Sequence, residues 1–482
     1  MTATADQTTG ALEDAVQHDQ EQDPGFSLKR ASLRGSAWSF SGYVLQQILR
    51  LAGNLILTRL LFPEAFGLMA LVNIFLQGLA MFSDLGLGPS IIQNPRGTEP
   101  DFLNTAWTIQ VIRGFILCGC ALLMSWPLSL FYHQSELAFL LPVAGISAVI
   151  SGFESTAMYT ENRKLVLGRI TLIGIVAQFA GLVVMAAWAW HEKTVWALLA
   201  GSLVATTVRM LLSHCVLPGI RNRFHWDPKA WRALLTFGKW IFVSTALGFL
   251  ASQGDRLILG RCLTISDLGV YNIALFLAQA IVSALTTVSM TTLFPLYSRL
   301  AQDDPDAYAT RVWKFRLVFM AVAFPILAVL IVFGDFAVHV LYDERWQAAG
   351  WMLQVLSVGS VAAILNLTLS ALLLAVGDSF RFMLFQLWRS VCLVIAMSVG
   401  GFYFGTKGLI VGVAAAPWLA HPFLVACVRR YRVWTPFMDL ACLAGAAALV
   451  GMGFLIKPPI VDVGSAVFEW LKQAVLQLIQ SC

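Results

Sequence analysis

Cations inside apolar segments are the first feature of this sequence that could do chemistry. Six basic residues interrupt stretches long enough to cross a bilayer: Arg50, Arg113, Arg209, Lys239, Arg256 and Arg389. An ionisable group in hydrocarbon is costly, so such residues usually face a bundle interior or a water-filled cavity. Guanidinium groups keep their charge and donate forked hydrogen bonds, which suits them to phosphate groups in a site of low dielectric constant. The chemistry predicted for this set is charge matching to an anion, and a pyrophosphate fits it.

The strongest candidate among the six lies near the middle of the first apolar segment. Arg50 is about 20 Å from the start of that segment at roughly 1.5 Å per residue, too deep to reach either surface easily with an extended side chain. Ser39, Gly42, Gln46 and Asn54 share its helical face at spacings of three and four. We expect Arg50, Gln46 and Asn54 to line a substrate cavity. A structural contact with a neighbouring helix is the alternative for Arg50.

Two further arginines lie at similar depths in different halves of the chain. Arg113 and Arg389 are each about 13 Å along the third and eleventh predicted helices, so they could hold one anionic headgroup from two sides. Asp84 is expected at a comparable depth in the second helix, where it would neutralise Arg113 in a buried pair. Both roles remain open for Arg113.

Three carboxylates in or near the apolar segments could bind a proton or a sodium ion. Asp84, Asp255 and Glu154 are the candidates for ion coupling, and a local pair between Asp255 and Arg256 is a structural alternative for one of them. The remaining cations lie near helix ends, where long side chains are expected to reach the interface: Arg209, Lys239 and Arg256.

The composition requires a membrane. Of 482 residues, 58% are hydrophobic and 12% are charged, against about 25% charged in soluble domains. Because a spanning helix needs roughly 20 apolar residues, we predict an all-α membrane protein with twelve to fourteen transmembrane helices. Twelve segments are clear, a thirteenth is predicted at 435–457, and an amphipathic stretch at 464–481 could span or lie on the surface. The twelve are 36–61, 66–92, 104–131, 137–157, 165–190, 194–216, 235–260, 268–297, 312–334, 347–376, 380–404 and 407–428.

The loops between these segments set the orientation and the domain boundaries. Most Lys and Arg of the loops fall on one side when the N-terminus is cytoplasmic, which is the positive-inside pattern. The net charge of +5 therefore reports topology and contact with anionic lipids rather than nucleic acid. Five parts follow: a disordered cytosolic tail (1–28), an N-terminal six-helix lobe (29–217), a cytosolic linker (218–231), a C-terminal six-helix lobe (232–430) and additional C-terminal helices (431–482).

An internal repeat relates the two predicted lobes. One constant offset along the chain pairs Trp38 with Trp240, Arg59 with Arg261, Gly67 with Gly269 and Gln77 with Gln279. An even number of spans separates the copies, so both enter the bilayer from the same side and form a parallel repeat. Two six-helix lobes around a central cavity are the predicted architecture.

Cysteine and histidine give no sign of a metal or cofactor site. The eight Cys include no CxxC pair, and the seven His include no HExxH or similarly paired spacing. We expect the cysteines to be small core residues and predict neither a cofactor nor a catalytic group.

Several longer segments resemble one transporter family. These are "TRLLFPEAFGLMAL" and "FSDLGLGPSIIQ" before residue 94, "DRLILGRCLTISDLGVYNIA" from Asp255, "LFPLYSRLAQD" from Leu293 and "LYDERWQAAGWMLQVLS" from Leu341. Their order and spacing, over about residues 30–430, resemble Wzx-type polysaccharide transporters of the multidrug/oligosaccharidyl-lipid/polysaccharide exporter superfamily.

The resemblance implies a function as well as a fold. It implies an inner-membrane flippase of bacteria that carries an undecaprenyl-pyrophosphate-linked oligosaccharide from cytoplasm to periplasm by alternating access, for exopolysaccharide, capsule or O-antigen. Cationic cavity residues are typical of that family, and Arg50, Arg113 and Arg389 are the candidates by position. A polysaccharide polymerase and glycosyltransferases are possible partners, beside the lipid-linked substrate and the membrane lipids.

Three other functions stay open. A lipid II flippase would meet the same pyrophosphate, and a cation-coupled drug or metabolite exporter of the same superfamily would use Asp84, Asp255 or Glu154. The excess of arginines over acids in the spans favours an anionic substrate over a drug. A membrane-embedded glycan polymerase or ligase would need carboxylates or histidines gathered for catalysis, whereas the predicted external loops are short. We therefore predict a transporter rather than an enzyme.

Overall fold

Helices make up nearly all of the molecule. A computed structural model describes residues 24–84, 86–164, 167–289, 297, 305–431 and 434–452, and no β-strand occurs in these ranges. The α-helices are α1 (Pro24–Leu60), α2 (Pro63–Phe82), α3 (Leu87–Gln93), α4 (Pro100–Tyr132), α5 (Leu137–Gly152), α6 (Ala157–Arg163), α7 (Leu167–His191), α8 (Val195–Cys215), α9 (Pro228–Cys262), α10 (Ile265–Val288), α11 (Pro305–Leu341), α12 (Ala349–Ala375), α13 (Ser379–Val428) and α14 (Pro436–Met452).

The predicted membrane architecture is confirmed by these helices. Eight of them are long and apolar enough to cross a bilayer, or nine if α5 and α6, bent by 58°, form one span. The helices α1 and α9 are also long enough but more polar. Within α13, Gly405 (φ 60°, ψ −141°) marks a kink between two helices, and a Cβ on Gly400 would clash with the Gly408 backbone. The two halves of α13 therefore fold back on each other, which gives six long helices before the linker and six after it.

Two predicted boundaries differ from the structure. The second segment, 66–92, is wrong as a single helix because α2 ends at Phe82 and α3 begins only at Leu87. Between them Gly86 adopts a left-handed φ of 60°, and its N–H donates to Asp84 Oδ1 at 2.9 Å, a turn that Asp and Gly favour. At the start of the chain α1 begins at Pro24, within the tail predicted for 1–28, of which 1–23 lie outside the described residues. The stretches 453–457 and 464–481 lie outside them too.

The linker is bound along the first turns of α4. The backbone N–H groups of residues 223, 225 and 227 donate to Asn104 Oδ1 (3.0 Å), Thr108 Oγ1 (3.1 Å) and Thr105 Oγ1 (3.0 Å) in turn. Asp227 then caps α9, accepting from the Lys229 N–H at 2.9 Å, and pairs with Arg96 at 3.0 Å. The backbone N–H of Lys229 and the Arg96 guanidinium lower the pKa of Asp227, so the cap stays ionised. The linker is thereby fixed to the N-terminal lobe.

The two lobes meet where α2 contacts α10, at positions that the repeat pairs. A Cβ on Gly67 would clash with the Ile265 carbonyl, and a Cβ on Gly269 would clash with the Pro63 carbonyl. The same offset that pairs Gly67 with Gly269 also pairs Pro63 with Ile265. Equivalent residues of the two repeats therefore contact each other across a pseudo-two-fold axis.

Further contacts close the lobes at the end of the bundle away from the linker. Tyr342, after α11, donates to Asn54 Oδ1 on α1 at 2.8 Å, and Tyr132, at the end of α4, donates to the Leu257 carbonyl on α9 at 3.3 Å. Arg345 and the fully buried Trp346 donate to the Thr58 carbonyl at 3.2 and 3.1 Å. We call these contacts, with the Gly67–Gly269 contact, the seal.

The glycine contact predicts an unusual response to alanine. Ala in a helix is normally more stable than Gly by up to about 1 kcal/mol, and Gly119→Ala on α4 has space for the methyl group, with nothing within 4 Å. Gly67→Ala instead forces α2 from α10, so we expect its apparent melting temperature in detergent to fall by several degrees while that of Gly119→Ala is unchanged or higher. Equal melting temperatures for the two variants would contradict the contact.

Candidate functional site

The first polar cavity lies within the N-terminal lobe and has a volume of about 890 Å³. Helices α1, α2, α7 and α8 surround it, and α10 of the other lobe closes one side. Apolar and aromatic side chains such as Phe66 and Phe276 share the lining with ten polar ones. The polar lining, which we call the N-lobe cavity wall, is Gln46, Arg50, Asn54, Asn73, Thr171, Gln178, Ser202, Thr206, Arg209 and Asn272.

Small residues hold the polar stripe of α1 against α7. A Cβ on Gly42 would clash with Thr171, one on Gly53 would lie 2.8 Å from Leu182 Cδ1, and one on Gly174 would lie 2.8 Å from Gln46 Nε2. Close helix approach at such residues is the usual packing mode in membranes. It places Gln46, Arg50 and Asn54 in the cavity, where the sequence predicts them.

Arg50 is the cation of this cavity without a protein partner. Its side chain is exposed to the cavity, and within the described ranges no hydrogen bond or ion pair reaches its guanidinium. Its neighbours are engaged, since Gln178 Nε2 donates to the Gln46 carbonyl at 3.1 Å and Asn54 accepts from Tyr342. A deep cation without a counter-ion leaves a strong site for a ligand anion.

A second arginine of the same cavity is paired. Arg209 Nε lies 3.1 Å from Glu154 Oε1, and the Glu154 side chain is 16% exposed. The expectation that Arg209 extends to the interface is therefore replaced by an ion pair within the lobe. Ion coupling through Glu154 would require this pair to open.

The second polar cavity lies in the C-terminal lobe and has a volume of about 660 Å³. Arg389 and Asp255 both line it, with α2, α9, α10, α12 and α13 as walls. Asp255 is 8% exposed and accepts a hydrogen bond from Tyr271 at 2.7 Å. Arg256 also faces inward rather than to the interface, since its Nη1 donates to Gln253 Oε1 at 2.8 Å.

The two cavities share a wall made by α2 and α10. On α2, Asn73 lines the N-lobe cavity and Gln77, one turn further, lines the C-lobe cavity. Gln77 Oε1 accepts from Gln253 Nε2 at 2.9 Å. The N-lobe and C-lobe cavities thus lie on either side of one helix pair.

The structure places Arg113 outside the lining of both cavities. Its Nε donates to Ser83 Oγ at 2.9 Å and its Nη2 to the Ala80 carbonyl at 2.6 Å. It therefore binds the C-terminal end of α2, where free carbonyls and the helix dipole favour a cation. In the described residues Asp84 makes no direct ion pair with Arg113, because it lies in the turn after α2 and holds the Gly86 N–H. Its charge is still near enough to act on Arg113. Arg113 and Arg389 are not brought to one cavity.

Sequence reasoning missed a buried charged cluster in the C-terminal lobe. Arg316, near the start of the predicted segment 312–334, is 0% exposed and lies 3.2 Å from Asp439 on α14. His421 contacts Asp439 Oδ2 through Nε2 at 3.2 Å and Asn366 Oδ1 through Nδ1 at 2.8 Å. An acid within the apolar stretch 435–457 was the signal that could have found it. The cluster attaches α14 to the lobe.

The comparison with known proteins gives one family and consistent relatives. The family model described as "Polysaccharide biosynthesis protein" matches residues 56–350. The chain is 25% identical to the lipopolysaccharide biosynthesis protein WzxC of Escherichia coli (strain K12), covering 89% of each chain. It is 22% identical to the succinoglycan biosynthesis transport protein ExoT of Rhizobium meliloti (strain 1021), covering 72% of this chain and 69% of that protein.

Solved structures show the same fold at low identity. A lipid II flippase MurJ in an inward closed conformation has a TM-score of 0.67 at 12% identity and covers 93% of this chain and 99% of its own. An inward-facing multidrug transporter of the MATE family has a TM-score of 0.58 at 14% identity, covering 80% and 95%. Both are similar to this chain in fold.

The different environments of Arg50 and Arg113 predict opposite effects of alanine on stability. Arg113→Ala removes two hydrogen bonds from a charged donor, each worth about 1.5–3 kcal/mol, so its apparent melting temperature in detergent should fall by several degrees. Arg50→Ala removes an uncompensated charge and should leave the melting temperature unchanged or higher. A destabilised Arg50→Ala would indicate a structural role for Arg50.

The buried cluster predicts a rescue by apolar residues. Asp439→Ala leaves Arg316 buried without its counter-ion, which typically costs about 3–5 kcal/mol. The double variant Arg316→Met with Asp439→Leu removes both charges and should recover most of the loss in thermal unfolding. If the double variant is no more stable than Asp439→Ala, the ion pair is not the stabilising element.

Proposed function

The chain belongs to the polysaccharide biosynthesis protein family, whose model covers 56–350, and from this premise we propose that it is a flippase. The substrate is a lipid-linked oligosaccharide, most simply the undecaprenyl-pyrophosphate form, moved from the cytoplasmic to the periplasmic leaflet for a surface polysaccharide. Relatives that bear on this are a succinoglycan transport protein and a putative O-antigen transporter of Shigella flexneri, 22% identical. The surface polysaccharide built from the transported unit is an exopolysaccharide, a capsule or an O-antigen.

One observation carries the proposal: Arg50, which has no ion-pair or hydrogen-bond partner among the described residues, lines a polar cavity inside a membrane bundle. Arg50 supplies a fixed positive charge where the dielectric constant is low, so a pyrophosphate gains more there than in water. The cavity of about 890 Å³ is of the size that binds small molecules and can take a few sugar units. Arg389 in the second cavity is a further candidate for the anion, whereas Arg113 is better explained as a structural contact with α2.

Alternating access gives the seal a mechanical role. A ligand bound in either cavity cannot leave at the end away from the linker until the Gly67–Gly269 contact and the bonds to α1 separate. Because the linker is fixed to α4, the two lobes pivot about the start of α9. We orient the linker and the N-terminus to the cytoplasm of a bacterial inner membrane, and place polymerases and glycosyltransferases among its partners.

A cation-coupled exporter is the second candidate because Asp255 is a buried carboxylate at the C-lobe cavity. Tyr271 holds it at 2.7 Å, and a carboxylate in such a site can take a proton or a sodium ion. Coupling of this kind is also compatible with a flippase. The alternative of a membrane-embedded polymerase or ligase is weaker, since Asp255, Glu154 and Asp439 are not gathered in one site. Each is engaged separately, by Tyr271, Arg209 and Arg316 in turn.

Gene deletion and complementation test the function. Deletion should remove the surface polysaccharide and trap its lipid-linked precursor in the inner leaflet, and the wild-type gene should restore both. Arg50→Ala should fail to restore them at a normal protein level, and Arg50→Lys should restore them in part because it keeps the charge and loses the forked geometry.

A matched control comes from the same helix. Arg59→Ala also removes one positive charge from α1, but Arg59 is exposed at the helix end, so this variant should complement fully. Unchanged polysaccharide with altered drug or metabolite efflux would support the exporter instead, and a cell-wall defect with normal polysaccharide would support a lipid II flippase.

A further inference from the structure

Carboxamides are the main polar groups around Arg50. Five of them face the N-lobe cavity: Gln46, Asn54, Asn73, Gln178 and Asn272. A carboxamide donates through its nitrogen and accepts through its oxygen, so it can satisfy both the hydrogen and the lone pairs of a sugar hydroxyl. The cavity wall therefore suits neutral hydroxylated rings next to one fixed cation.

Two of these carboxamides lie close enough to Arg50 to contact the first sugar of a ligand whose phosphate binds Arg50. Gln46 and Asn54 are four residues on either side of Arg50, which places them about 6 Å away along the helix on the same face. In a pyrophosphate-linked oligosaccharide the first sugar is bonded directly to the phosphate. An anion held at Arg50 thus brings this sugar within reach of one of the two amides.

Asn54 also belongs to the seal. Its Oδ1 accepts the hydroxyl of Tyr342 at 2.8 Å, and Tyr342 comes directly after α11 of the other lobe. The same side chain therefore lines the N-lobe cavity and holds a contact between the lobes. A hydroxyl of a bound sugar competes with the tyrosine hydroxyl for it.

The N-terminal lobe also has a tyrosine at the end of a long helix, but the acceptor of this tyrosine does not line either cavity. Tyr132 ends α4 as Tyr342 follows α11, and it donates to the backbone carbonyl of Leu257 at 3.3 Å. This carbonyl lies within α9, and Leu257 is absent from the lining of both cavities. Tyr132 therefore stabilises the seal without sensing the contents of a cavity.

We propose that the sugar next to the pyrophosphate binds the carboxamides of the N-lobe cavity and, at Asn54, displaces the Tyr342 hydroxyl, so that glycan occupancy loosens the seal. The proposal rests on the proposed flippase function and adds a positioning residue to it. Undecaprenyl pyrophosphate without a sugar binds Arg50 but leaves the Tyr342 bond intact. Release of one neutral hydrogen bond shifts the lobe equilibrium on the order of fivefold.

A buried reporter in the seal measures the effect. Thr58 is 1% exposed, and Arg345 and Trp346 bind only its carbonyl, so Thr58→Cys keeps the seal and becomes reactive when the lobes separate. The reporter is placed in full-length protein whose native cysteines are replaced, and its rate of reaction with a charged maleimide is followed in detergent. The probes are undecaprenyl pyrophosphate and the undecaprenyl-pyrophosphate-linked oligosaccharide extracted from the host, and their binding is measured separately by native mass spectrometry.

The two tyrosines provide matched variants. With Tyr342 present, the oligosaccharide lipid should raise the labelling rate on the order of fivefold, and undecaprenyl pyrophosphate should not. Tyr342→Phe should label fast without any probe and gain little more from the oligosaccharide lipid. Tyr132→Phe should also raise the basal rate but keep the full response to the oligosaccharide lipid.

The outcomes separate this inference from the function on which it rests. If the oligosaccharide lipid binds and Tyr342→Phe responds to it as Tyr132→Phe does, Asn54 does not transmit occupancy and the inference is overturned, while the flippase stands. The same holds if undecaprenyl pyrophosphate alone accelerates labelling. If the oligosaccharide lipid does not bind and deletion of the gene leaves the surface polysaccharide unchanged, the proposed function falls and the inference with it.

Discussion

Two helices can touch backbone to backbone only where side chains are missing, and this constraint organises the molecule at the contact of α2 with α10. Gly67 and Gly269 allow the carbonyls of Ile265 and Pro63 to lie where a Cβ would otherwise stand. Because equivalent residues meet there, the contact sets the pseudo-two-fold axis between the lobes. It also fixes α2 and α10 as a common wall, with one polar cavity on either side. The tyrosines of the seal reach across to α1 and α9 because the lobes are held at this distance.

Three arginines in the spans show three ways of carrying a charge in hydrocarbon. Arg316 has a carboxylate and two threonines around it, and Arg113 has the carbonyl end of a helix. In the described part of the chain Arg50 has neither. An uncompensated charge in hydrocarbon is costly, and in the proposed flippase a ligand anion offsets that cost at Arg50. The partners of each arginine, rather than its depth in the membrane, therefore separate Arg113 and Arg316 from Arg50.

The sequence alone predicted the structural features that depend on a single helix or on the internal repeat. The polar face of α1 follows from the helical period, so Gln46, Arg50 and Asn54 were predicted together. The constant offset predicted the two lobes, and with them the contact of Gly67 and Gly269 could be understood. The partner of a charged side chain depends on how the helices rotate and pack, and the spacing of residues in the sequence does not give this information. Arg113 binds the end of α2 rather than Asp84, and Arg209 binds Glu154. The turn at Asp84 and Gly86 was hidden because the residues around it are apolar, and the Arg316–Asp439 pair joins positions far apart in sequence.

The contact of equivalent residues across an axis is the form that a symmetric dimer interface takes, with the same patch on both subunits. Fusion of two copies of one gene would produce a chain of this kind. The linker would then hold the two halves together, whereas the halves of a dimer are held only by association of separate subunits. Once fused, the copies are free to diverge: the positions that the repeat pairs with Arg50 and Asn54 are Ser252 and Arg256. A homodimer would have to present Arg50 twice around its axis, whereas the fused chain presents it once. The glycine contact thus keeps the scaffold symmetric, while covalent linkage permits the polar residues of the two lobes to differ.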